Sequence, residues 1–376
     1  MSLVDARASL LQAADPPPAA LLESGGSPVA VQTEWEPLKE VIVGTIETGL
    51  FPGWHVGIEA VLPRASHATF IRMQGRRFPD EMIDKARREV DGLAEFLGRL
   101  GITVRRPSFA QLDRPFATPF FSSRGGLYAA MPRDGLFAAG DTILETPMAW
   151  RDRYFEAFAY RDILMDYFRA GARWRAAPRP MLTDDLFRSD HDAEGATFTS
   201  VLTEAEPVFD AADFVRIGHD IVGQYSHVTN RAGAAWLARE LGPEYRVHMY
   251  VFDDAAPMHI DTTLLPIAPG RVLVNRAWVS RLPDFFADWE VLVPPASNLP
   301  VTHPLFFTSR WIGVNVLMLD PHHVLIEESE TDLAAAFRAW KIEPIPLPFK
   351  HFQTFGGSFH CATLDVRRRS RDRIGV

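Results

Sequence analysis

The feature that most constrains this chain is a succession that recurs about five times along it: two strand-like runs, a helical stretch, then a third strand-like run. In the first instance, Leu38 to Gly44 reads as a strand after the Glu34-Trp35-Glu36-Pro37 entry, and a long polar and aromatic loop follows. From Pro79 to Leu100, apolar Met82, Ile83, Ala86, Val90, Leu93, Phe96, Leu97 and Leu100 recur at three-four spacing, which predicts an amphipathic helix. Gly101 stops it, and Ile102 to Pro107 predicts the next strand.

The later units repeat this order. Strand signals over 135–146 precede a helix expected from Arg153 to Ala170 and a short strand ending at Ala177-Pro178. Strands near Val208 and over 214–225 precede a helix over 232–241 and a strand over 245–252. Strands over 260–267 and 271–274 precede an amphipathic piece over 282–287 and a strand over 290–293. Strands over 312–319 and 324–327 precede a helix over 333–340 and a strand over 345–347. A dinucleotide-binding domain would alternate one strand with one helix and carry a glycine-rich phosphate turn, and neither G-x-G-x-x-G after a strand nor a P-loop signature is found. Radial repetition of small sheets around an axis, with helices outside, suits the pattern better.

In such a fold the ends of successive units converge, so polar stretches far apart in sequence can meet. Four stretches are too polar for a core: Ala130 to Asp134, Phe209 to Phe214, Pro257 to Thr263, and Gly356 to Thr363. The last holds Cys361, the only cysteine, behind a Gly-Gly pair. A lone cysteine makes no intramolecular disulfide or thiolate cluster, which leaves buried filler or nucleophile. Each other stretch also has a plain reading. Asp134 fits a turn, Asp210 and Asp213 a cap or Asx turn, and His259 a hydrogen-bonded structural histidine. If His259 opens a strand, Asp261 shares its face. Without a helical H-x-x-x-H pair or cysteine set, zinc is set aside and no metal or cofactor is expected. The functional reading is a Cys–His–Asp arrangement with extra carboxylates. A thiol needs help to ionise at neutral pH, and paired carboxylates suit a planar, permanently charged guanidinium.

The net charge of −9 argues against nucleic-acid or anionic-membrane partners, and no run of about eighteen apolar residues appears. Residues 1–30, with Pro16-Pro17-Pro18 and Gly25-Gly26, read as a flexible leader, and 31–376 as one catalytic domain. The basic run Arg367-Arg368-Arg369, then Arg371 and Arg373, reads as a solvated terminus. One cysteine and no secretion signal fit a reducing cytoplasm.

The stretches Glu34 to Gly44, Met131 to Asp134, Glu145 to Arg151, Phe209 to Asp213, Met258 to Asp261 and Phe359 to Arg368 resemble, in order, those of the amidinotransferase family. The resemblance implies an α/β fold, a five-bladed α/β propeller of ββαβ modules (pentein-like). It further implies transfer of the amidino group of L-arginine to an acceptor amine, without cofactor, through a cysteine-bound intermediate in a ping-pong sequence. Cys361 is then the nucleophile, His259 the general acid and base, and Asp210 its partner. Asp134 and Asp261 look like guanidinium ligands, Thr308 and Ser309 match contacts to the donor's amino-acid end, and Met258 is a further substrate contact. Glycine-specific members carry an arginine where this chain has Trp278 and an asparagine where it has Ala256, so either Arg276 substitutes or the acceptor differs. Glycine, lysine and a biosynthetic-pathway amine stay open as acceptors. The precedent points to a homodimer. A hydrolase of the same fold, resembling arginine deiminase, and a non-catalytic arginine-binding protein are the alternatives.

Overall fold

The computed structural model describes residues 27–108, 112–192 and 195–368. Its organising unit is a three-stranded sheet, and five of these are built from the described residues. In the first, β1 (Leu38–Val43) runs parallel to β2 (Thr103–Arg105). Between them the helix Asp80–Arg99 buries Ile83, Ala86, Val90, Leu93 and Leu97, as the spacing predicted, while Leu100 lies past its end and is half exposed. A two-stranded hairpin, β3 (Phe116–Ala117) and β4 (Ser122–Ser123), follows.

The second sheet contains β5 (Leu136–Ala139), β6 (Thr142–Glu145) and β7 (Arg173–Ala176). The third contains β8 (Phe214–Ile217), β9 (Asp220–Gln224) and β10 (Arg246–Tyr250), and the fourth β11 (Leu264–Ala268), β12 (Arg271–Val274) and β13 (Glu290–Leu292). The fifth contains β14 (Leu317–Asp320), β15 (His323–Glu327) and β16 (Glu343–Leu347). In each, the middle strand pairs antiparallel with the first and parallel with the third, the parallel step needing a crossover. The first sheet obtains its antiparallel partner from the far end of the chain: β17 (Thr363–Arg368) pairs with β1, placing Ile42 opposite Leu364 and Val41 opposite Asp365.

The first strands are largely buried, and β5, reading Leu-Phe-Ala-Ala, and β11, reading Leu-Leu-Pro-Ile-Ala, are so along their whole length. Strands covered on both faces read this way. They touch from sheet to sheet: β17 meets β5, β5 meets the turn before β8, β8 meets β11, and β14 meets β1. The strand ends that precede them are thereby brought together.

Several expectations need correction. The helix expected over 153–170 breaks into 3₁₀ turns over Arg151–Arg153 and Glu156–Tyr160 before an α-helix, Arg161–Arg169. The break turns Arg153 inward, where Asp134 and Glu156 hold it. No strand forms at Val208, and the strands expected from Ile260 and Ile312 begin only at Leu264 and Leu317. The piece over 282–287 contributes only the 3₁₀ turn Asp284–Phe286. Most of the expected leader, residues 1–26, lies outside the described residues, but Val29 is fully buried and Ala30 N donates to Val366 O at 2.9 Å. The basic run is not a solvated terminus where it is described: Arg367 and Arg368 belong to β17, with Arg367 paired to Glu40 and Arg368 to Asp365. Arg369, Arg371 and Arg373 lie outside the described residues. No described helix is long and apolar enough to cross a membrane.

Candidate active site

The chain enters four of the five first strands through a short helical turn: Pro132–Gly135 before β5, Ala211–Asp213 before β8, Ile260–Thr262 before β11 and Arg310–Val314 before β14. These turns carry Asp134, Asp210 and Asp213, His259 and Asp261, and Ser309 and Asn315 respectively, at or beside their caps. Before β17 the equivalent place is the loop through Cys361. His259 therefore does not open a strand, as the alternation suggested; it is the extended residue ahead of a 3₁₀ turn. Both His259 and Asp261 nevertheless line the same cleft.

The Gly-Gly pair has a packing reason. Gly356 sits at φ +94°, and a β-carbon there would lie 2.6 Å from Phe307 Cβ. At Gly357 it would lie 2.4 Å from Met131 Sδ and 2.8 Å from Cys361 Cβ. Tight packing behind the loop directs Cys361 to the cleft. Its Sγ accepts from Asn315 Nδ2 at 3.1 Å and donates to Asp261 Oδ2 at 3.3 Å. Asn315 Oδ1 accepts from the backbone N–H of both Ser358 and Cys361, each at 3.1 Å. Sequence reasoning missed Asn315. The only signal was its place before β14, matching the aspartates before β5 and β8.

His259 Nε2 lies 3.1 Å from Asp210 Oδ2, and Nδ1 lies 3.7 Å from Asp134 Oδ1. Burial alone would lower the imidazole, but Asp134, Asp210 and Asp213 together push it up to about 10, so it is an imidazolium at neutral pH. Burial pushes the Cys361 thiol well up, and the charges of Asp261 and Asp134 add to this. Together these shifts make the pair thiol and imidazolium at neutral pH. Burial also raises Asp134, against the opposing charges of His259 and Arg153. Asp261 falls below its ordinary range despite burial, because His360 Nδ1 bonds it at 2.8 Å.

Asp134 Oδ1, Asp210 Oδ1 and Asp261 Oδ1 are buried, and none has a hydrogen-bond partner among the described residues. Buried acceptors are rarely left so unless something else occupies the place. Arg153 already takes the other Asp134 oxygen at 2.8 Å and clamps Glu156 with two bonds of 2.6 Å. The ligand atoms of Asp134, His259 and Cys361 also lie within 4.8 Å of one another, a donor set compatible with a metal ion that chain order alone concealed.

Cys361, His259, Asp261, Met258, Thr308 and Ser309 all line one cleft of about 300 Å³. Asp134 and Asp210 stand behind His259. Arg276 is not among the lining residues; it is exposed, and its Nη1 donates to Val279 O at 3.4 Å. Trp278 and Ala256 do line the cleft, and the Trp278 ring packs edge-on to Trp311.

Fold and site together bring a thiol, a histidine and orphaned carboxylate oxygens to one end of the converging sheets. No family model matches the chain. Individual proteins do. The chain is 44% identical over 347 residues to an L-arginine:L-lysine amidinotransferase of Pseudomonas savastanoi pv. phaseolicola, covering 92% of this chain and 96% of that one. It is 42% identical over 352 residues to the mitochondrial glycine amidinotransferase of Danio rerio, covering 91% and 83%. Among solved structures, SxtG, an amidinotransferase of the saxitoxin biosynthetic pathway from Microseira wollei, superposes with a TM-score of 0.87 at 43% identity, covering 91% and 98%. The chain belongs to the amidinotransferase family, and its chemistry is amidino transfer.

Proposed function

We propose that this protein is an L-arginine:amine amidinotransferase working in two half-reactions through Cys361, and that its acceptor is a longer amine than glycine. The observation that carries the reading is the set of orphaned carboxylate oxygens on Asp134 and Asp261 beside the Cys361 thiol. A guanidinium is planar and always protonated, and it fits between two carboxylates. Burial and the charges of Asp261 and Asp134 hold the thiol protonated; the arriving cation offsets those charges, so the thiol proton leaves to solvent and the donor itself favours the thiolate. The thiolate attacks the guanidinium carbon, His259 gives its proton to the departing nitrogen, and ornithine leaves. The amidino group stays on sulfur as a cation. An acceptor ammonium then gives one proton to neutral His259, the resulting amine attacks the same carbon, and its second proton passes to the departing sulfur, which restores thiol and imidazolium. Asp210 holds the imidazole through Nε2. Asn315, donating to Sγ, favours the anionic sulfur in both halves.

Trp278 on the cleft wall, with Arg276 turned away, supports an acceptor other than glycine, whose carboxylate is its main charged handle. The lysine-using relative supports the same side. The wider reading is of one catalytic unit over 31–376, a five-bladed propeller, acting on small molecules in a cytoplasmic biosynthetic route, with no nucleic-acid or membrane partner and with a homodimer as its assembly. The five sheets and their contacts support the propeller.

Incubation with arginine and no acceptor should add about 42 Da to Cys361 by intact mass under acid quench. Turnover without that adduct would overturn the covalent route. Citrulline and ammonia from arginine alone would favour the hydrolase alternative. Full biological effect of Cys361→Ser would favour a non-catalytic binder.

A further inference from the structure

The helix Lys350–Gln353 is the last helical element before the Gly356-Gly357 pair and Cys361. Its N-cap, Phe349, has no side-chain oxygen to take up the N–H groups of the first turn. The acceptor comes instead from 263 residues away in the chain, where Glu89 Oε2 receives the Phe352 N–H at 2.8 Å, with the His351 N–H beside it. Glu89 belongs to the helix Asp80–Arg99 of the first unit and is half-buried where that helix packs on Lys350–Gln353.

A short path of rings leads from this bond towards the thiol. The Phe352 ring packs on Phe349 with 4.7 Å between centroids, and Phe349 stacks at 4.2 Å on Phe359, two residues before Cys361. All three side chains are fully buried. Gln353 Nε2 donates to Ser358 Oγ at 3.0 Å, and Phe355 O accepts from the Tyr128 hydroxyl at 2.6 Å. Close-packed side chains pass a displacement on rather than absorb it. The loop itself has no slack, since Gly357 leaves no room even for a β-carbon.

We propose that Glu89 is a positioning residue for the nucleophile: by capping Lys350–Gln353 it fixes the Phe349–Phe359 stack, and through it the place of Cys361 Sγ between Asn315 and Asp261. This rests on the covalent amidino-transfer reading and adds to it a residue outside the cleft. The sulfur must lie close to the guanidinium carbon and in line with it, so a small misplacement slows the chemical step more than it weakens binding. Burial raises Glu89 to about 7; Glu327 of β15 adds to the rise, while the two N–H groups and Lys350 oppose it. Lys85, Arg88 and Arg99 of its own helix, and His351, line the hollow beside it. As pH rises through about 7 the cap thus passes from carboxylic acid to carboxylate, the stronger acceptor.

The test measures the first-order rate of Cys361 adduct formation at saturating arginine by quenched intact mass, with KM and melting temperature in parallel. At about pH 8, Glu89→Ala should slow that rate at least about tenfold and leave KM within about twofold. Glu89→Gln keeps an acceptor oxygen, so it should lose only about threefold at about pH 8 and nearly match the parent at about pH 6, where most of the parent's caps are neutral too. A merely structural role would lower the melting temperature without making the Glu89→Gln ratio depend on pH in this way. The parent's rate in Glu89→Ala, or a Glu89→Gln ratio that is the same at both pH values, would overturn the assignment while leaving the chemistry standing. Should Glu89→Ala fail to fold, the Glu89→Gln ratio decides alone. Absence of an adduct in the parent protein would instead overturn the covalent reading and this inference with it.

Discussion

Two groups of buried charges lie back to back in this molecule, and they are treated in opposite ways. In the network beneath the site, Arg216 holds Glu34 through bonds of 2.7 and 2.6 Å and both oxygens of Asp365 at 2.8 Å. Arg133 bonds the same two carboxylates, and Arg368 adds a 2.7 Å bond to Asp365. Although burial opposes it, the guanidinium groups hold Glu34 and Asp365 well below the usual carboxylate range. In the site above, Asp134, Asp210 and Asp261 each keep one oxygen without a partner. His360 joins the two groups, with Nδ1 on Asp261 and Nε2 3.2 Å from Glu34 Oε2. A saturated network locks geometry, whereas an incomplete one leaves room for a charged ligand to finish it.

The largest effect should come from the reactive half of that contrast. His259→Gln is expected to lower kcat by roughly a hundredfold to ten-thousandfold, read by steady-state kinetics. Cutting the network acts first on stability. Arg216→Met leaves Glu34 and Asp365 short of their main partner and should cost about 3–5 kcal/mol of stability in denaturant unfolding. A variant as stable as the parent would show that the network is dispensable to the fold.

Asp134→Asn tests the boundary between the halves, because one oxygen faces Arg153 and the other is orphaned. About 2–4 kcal/mol in kcat/KM for arginine is expected, with a smaller change in melting. Equal losses of activity and stability would place Asp134 with the network instead. The smallest effect is in pH dependence. His259 stands near 10 in the folded protein against about 6.5 unfolded, so its stabilisation is complete below about 6.5 and is lost as pH rises through 10. The melting temperature of the parent should thus fall more steeply than that of His259→Gln across this window.

Much of this was legible in the chain. Three-four spacing over Pro79 to Leu100 and the two-strand runs gave the units, because amphipathic period is a local property. The resemblance of short stretches pointed to Cys361, His259, Asp210, Asp134 and Asp261, and the Gly-Gly pair marked the loop. The turns that replace the expected starts at Ile260 and Ile312 were not legible, since their conformation follows from side chains such as Asp261 and Asn315 bonding partners on other units.

Sequence by itself determined the units, the family and the residue types available for guanidine chemistry. Tertiary structure alone decided that Arg367 and Arg368 close the first sheet rather than trail in solvent, because a strand's partner at the far end of the chain leaves no local trace. It also decided that Asn315 meets Cys361 and that Trp278 and Arg64, not Arg276, line the cleft. A side chain's charge is written in the sequence. Which cavity that charge serves depends on the packing of segments hundreds of residues apart, and only the assembled fold specifies it.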